Sequence, residues 1–137
     1  MPRLIRTCGI DTSVFLRLLT GHPEEDFSRT VDALQRLNKQ NGVIDLVVSN
    51  HVIGESYVVL QHFYGISKSG ARKGIKELFK TGSIRPLNGQ PVLDILSSTG
   101  GAGLVDRLIA QEYQTHGNVV LTNDKQMAKL EGVERLY

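Results

Sequence analysis

Residues 106–127, DRLIAQEYQTHGNVVLTNDKQM, carry the order of elements that decides the fold. The segment LVDRLIAQEYQTHG, residues 104–117, reads as a helix closed by Gly117. NVVL then reads as a strand, DKQMAKL as a short helix and VERLY as a last strand. The strand leaves its apolar run through Thr122, Asn123 and Asp124. In an open parallel sheet, functional groups collect at the carboxyl ends of strands. A polar cluster there raises the question of what else is aimed at it.

Upstream, LIRTCGI, residues 4–10, reads as a strand leading to Asp11, and SVFLRLLTG as a short helix closed by Gly21. Residues 24–42 form a second helix with an apolar stripe of Phe27, Val31, Leu34 and Leu37. VIDLVVS is a buried strand by its continuous apolar run, and Asn50 is placed to cap the helix that carries Glu55. A fourth helix spans Ser67 to about Thr81, with Ile75, Leu78 and Phe79 inward, and SIRPLN reads as a short strand. Residues 89–103, rich in Gly, Pro and Ser, read as a loop. Strands alternating with helices predict an α/β protein with a central, mainly parallel sheet flanked by helices in three layers.

A chain of 137 residues suits a single domain with one core, here residues 1–137. There is no apolar run of 18 residues, so no membrane span is expected. The single cysteine, Cys8, forms no internal disulfide and reads as a small core residue, which agrees with a reducing cytoplasmic setting. The net charge of +2 does not by itself imply nucleic acid.

Four acids share one context. Asp11 and Asp124 each follow a strand. Glu55 interrupts an apolar patch of Val52, Val58 and Val59, and Asp106 repeats the pattern among Ala102, Ile109 and Ala110. A carboxylate on an inward face costs desolvation energy unless it is paired or holds a metal. One acidic pocket accounts for all four, with some pKa values raised by mutual repulsion when it is empty. Oxygen ligands without cysteine suit Mg2+ or Mn2+. Local readings stand beside this one: caps for Asp11 and Asp124, a first-turn acid for Asp106, and a half-exposed or paired Glu55. His51 and His62 flank Glu55, but HVIGE lacks the second histidine that a zinc helix motif needs. His22 and His116 sit at helix ends, where capping accounts for them.

The chain resembles the PIN-domain family, especially the toxin ribonucleases of prokaryotic toxin–antitoxin pairs, over nearly its whole length. IDTSVFLRLL resembles the family's first strand and turn, SNHVIGESYVVL its second acidic element, and residues 106–127 the remainder. The resemblance implies Asp11, Glu55, Asp106 and Asp124 as catalytic metal ligands, with Ser13, Thr122 and Asn123 supporting them. It implies hydrolysis of RNA phosphodiesters by metal-activated water. Met127 and Arg107 depart from the usual pattern, without removing an acid.

RNA also has to be held. Lys68, Arg72, Lys76 and Lys80 recur every four residues, with Lys73 adjacent, and Arg107, Arg17 and Arg29 are further candidates. With four Phe, four Tyr and no Trp, a broad stacking platform is not expected, which favours single-stranded or loop RNA. The resemblance further implies a homodimer and a cognate antitoxin protein. Three rivals stand: a non-toxin RNA-processing nuclease, an inactive PIN-like RNA-binding or scaffold protein, and an aspartyl phosphotransferase. The last wants an acid where Ser13 stands.

Overall fold

The computed structural model describes residues 4–40 and 42–137. Strand β1 (Ile5–Gly9) leads to helices α1 (Thr12–Thr20) and α2 (Glu24–Gln40), then β2 (Val43–Val48) and α3 (Asn50–His62). Helix α4 (Lys68–Lys80), β3 (Ile84–Pro86), α5 (Gln90–Leu96) and α6 (Leu104–Gln114) follow. The chain ends with β4 (Val120–Thr122), a 3-10 turn over Met127–Lys129 and β5 (Val133–Arg135).

The architecture is mixed α/β, with every strand pair parallel. The strands fall into two sheets, β1-β2-β3 and β4-β5, where one central sheet was expected. β2 is the middle strand of the larger sheet, pairing Ile5 with Val43 through Gly9 with Val47 on one side and Leu46 with Ile84 on the other. Its central place explains its apolar run, since Leu46, Val47 and Val48 are all buried. β3 is an edge strand, which is where a residue without a backbone N–H, Pro86, is tolerated.

The main core gathers Phe15, Val48, Ile53, Ile75, Leu104 and Leu108. Phe15 and Phe79 stack with ring centroids 5.7 Å apart, joining α1 to α4. Fully burying one such side chain contributes about 1.5–3 kcal/mol. A second, small cluster of Ala110, Val120, Met127 and Val133 joins α6 to the C-terminal strands. Cys8 is half-buried and packs against the main core.

Three local expectations are corrected. Residues 90–96 are helical, because Pro91 suits a first turn and Val92 and Leu96, four apart, both bury. The cap of α3 is Ser49, whose hydroxyl accepts from the Val52 amide at 3.3 Å. Asn50 instead turns inward, and its Nδ2 donates to Leu108 O at 2.8 Å and to Gln111 Oε1 at 2.7 Å. DKQMAKL makes only one 3-10 turn. Gly21 does close α1: its φ of 63° lies in the left-handed region, and its amide reaches Arg17 O. Among the described residues no helix is long and apolar enough to cross a membrane.

Candidate functional site

Asp11 stands at the carboxyl end of β1 and caps α1. Pairing with β2 continues through the Ile10 amide to Val47 O, so the strand delivers Asp11 directly to the helix start. Its Oδ1 accepts from the Ser13 hydroxyl at 2.7 Å and from the Val14 amide at 3.1 Å. The Ser13 hydroxyl first, then the Val14 amide, hold the Asp11 carboxyl below the ordinary aspartate range. That is opposite to the rise expected from a repelling acid cluster.

Asp124 repeats the device. It follows β4, its Oδ1 accepts from the Met127 amide at 2.8 Å, and its own amide donates to Thr122 Oγ1 at 3.0 Å. Both aspartates thus act as local caps, and in both the recorded carboxylate bonds use Oδ1 alone. Asn123, next to Asp124, is exposed.

Glu55 is not inward. Its side chain is 51% exposed, and Oε1 lies 2.6 Å from His51 Nε2, one turn back. The apolar neighbours that suggested burial divide: Val52 is buried, whereas Val58 is exposed. Glu55 lines an apolar groove of about 420 Å³ between α3 and α6, together with Val58, Val105, Leu108 and Ile109. Glu112 lines the same groove. The sequence carried a signal for Glu112, since it follows Val105, Leu108 and Ile109 at helical spacing on α6.

Asp106 occupies the first turn of α6 and is half-buried. It engages no hydrogen bond or ion pair among the described residues, and it is not part of the α3–α6 groove lining. One turn on, Ala110 packs in the C-terminal cluster. The four carboxylates therefore hang from a strand end, two helices and a turn. Their chemistry, all oxygen, suits a hard divalent cation. Among the described residues no group of three or more His, Cys, Asp or Glu that could hold a metal ion is gathered.

Arg72 and Arg107 have internal work. Arg72 Nη1 donates to Ile95 O, Ser98 O and Ser98 Oγ at 3.0–3.1 Å, tying α4 to the end of α5. Arg107 donates through Nε to Ala102 O at 2.8 Å and through Nη2 to Gly100 O at 2.7 Å, folding the preceding loop onto α6. Both arginines satisfy backbone carbonyls before any ligand arrives. Lys68, Lys73 and Lys80 are exposed, and Lys76 is half-buried.

Parallel strands with helical crossovers define a mixed α/β protein in which an acid, Asp11, stands at the end of β1. The PIN domain family model matches residues 9–133, and the chain belongs to that family. The family is generally associated with nuclease activity. No curated protein matches the chain.

Proposed function

We propose that this chain is an endoribonuclease that hydrolyses RNA phosphodiester bonds with Mg2+ or Mn2+, as the toxin of a toxin–antitoxin pair. The observation that carries the reading is the family match over residues 9–133, a span that includes Asp11, Glu55, Asp106 and Asp124. Asp11 adds support: it is exposed, Ser13 fixes its orientation, and hydrogen bonding favours its charged form. Ribonuclease action on single-stranded or loop segments, a homodimer and a blocking antitoxin belong to the same proposal.

The alternative is a PIN-like RNA-binding or scaffold protein without turnover. Cleavage of a mixture of structured and unstructured RNAs separates the two. The expected result is cutting in Mg2+ or Mn2+, none in chelator, and none by a folded Asp106→Asn variant. Equal cutting in chelator would reject cation dependence. RNA binding without cutting under any condition would establish the scaffold reading. A small neighbouring reading frame with a DNA-binding start would favour a toxin over an RNA-processing nuclease.

A further inference from the structure

Between α1 and α2 runs an open groove of about 770 Å³, whose lining includes Ser13, Arg17, Arg29 and Arg36. Ser13 is the residue whose hydroxyl holds Asp11, so the groove wall is in direct contact with the first acid of the proposed site. Arg17 is fixed within the fold: it donates to His22 O at 2.8 Å and lies 3.9 Å from Asp26. Arg29 and Arg36 are different. Both are exposed, and neither engages a hydrogen bond or ion pair among the described residues. They lie two helical turns apart on the same face of α2, a rise of about 10.5 Å.

We infer that this groove is a track for the phosphate backbone of single-stranded RNA, with Arg29 and Arg36 gripping phosphates of the strand that reaches Asp11. The inference rests on the ribonuclease reading and names where its substrate is held. Guanidinium forks match phosphate oxygens in a way that a point charge does not. Among the described residues no aromatic side chain lines the groove, so it offers backbone contact without base stacking. Asp26 and Asp32 line it too, but Asp26 is already offset by Arg17. The α4 stripe is the rival track. Its arginine, Arg72, is committed to carbonyls of the α5 end, leaving exposed lysines.

The test uses the full chain carrying Asp106→Asn, in chelator, binding a fluorescent single-stranded RNA from 50 to 200 mM salt. Single-strand binding weakens with salt by a slope of about 0.7 per phosphate contact. Arg29→Gln with Arg36→Gln should therefore lower the slope by about 1.4 and shrink the affinity loss across that range about sevenfold. Arg29→Lys with Arg36→Lys should recover part of that slope. Lys73→Gln with Lys80→Gln should leave it nearly unchanged. An unaltered slope in the glutamine variant, with RNA still bound and the active chain still cutting, overturns the groove alone. Failure of the chain to bind or cut any RNA overturns the groove and the ribonuclease reading together. Both arginines are exposed, and an unchanged thermal transition confirms that the variants fold.

Discussion

Asp11 and Asp124 do the same local job on unequal foundations. Each ends a parallel strand, and each offers Oδ1 to a backbone amide three residues on. Behind Asp11 stands the main core: Phe15 on α1 is wholly buried and stacked on Phe79. Behind Asp124 stand four buried residues, Ala110, Val120, Met127 and Val133, with Leu130 beside them. A cap holds a carboxylate only as firmly as the turn behind it is held. Segments with little buried apolar contact open at lower free energy than the core. The C-terminal pair of strands is therefore the softer support, and Asp124 is held less firmly than Asp11.

Core truncations should expose that difference most strongly. Phe15→Ala should cost about 3–5 kcal/mol, and Met127→Ala about 2 kcal/mol, at the low end for buried methionine. Urea unfolding midpoints measure both, and equal losses would erase the contrast. Next in size is Arg72→Gln, which removes three hydrogen bonds to the end of α5. Arg72 is only half-buried, so the expected cost is about 1–2 kcal/mol. Amides of residues 95–98 should also exchange faster, which a purely surface role for Arg72 would not produce.

The smallest effects concern protons. Ser13→Ala should let the Asp11 pKa rise toward the ordinary aspartate range, read by NMR titration of its carboxyl carbon. No movement would mean that the Val14 amide alone sets it. Asp45 is lowered as well, chiefly by three hydrogen bonds from Arg85 at 2.7–3.3 Å, with a further bond from Thr7. Because both folded pKa values lie below their unfolded ones, the unfolded chain takes up protons first as pH falls. The stability they contribute is present above the ordinary aspartate pKa and is lost as pH drops through the lowered folded values. Asp45→Asn should flatten that acid limb; an unchanged limb would remove Asp45 from the account.

Much of this was legible in the sequence, and the failures share a cause. β1, α1 and the Asp11 cap follow from a short apolar run, an acid and a closing glycine, all local signals. The order α6, β4 and β5 follows in the same way. Helix α5 was hidden because Gly89, Pro91 and Ser97 punctuate a segment whose two deepest residues, Val92 and Leu96, are only one turn apart. Glu55 sits among valines at helical spacing, which suggests one inward face, whereas α3 buries Val52 and leaves Val58 exposed. Arg72 and Arg107 looked like phosphate ligands because the carbonyls they bind are set by loop geometry, up to 26 residues away for Arg72. Asn50, bonded to residues 58 and 61 positions distant, gave no local sign of its role.

The proposed function requires four acids on separate elements to meet at one cation. Titration with Mn2+, followed by paramagnetic broadening of backbone amide signals, reads that meeting directly. The account expects signals around Asp11, Glu55, Asp106 and Asp124 to broaden together at equal metal, and this common response to disappear in Asp106→Asn. Broadening confined to one of these regions, or absent from all of them, would contradict it.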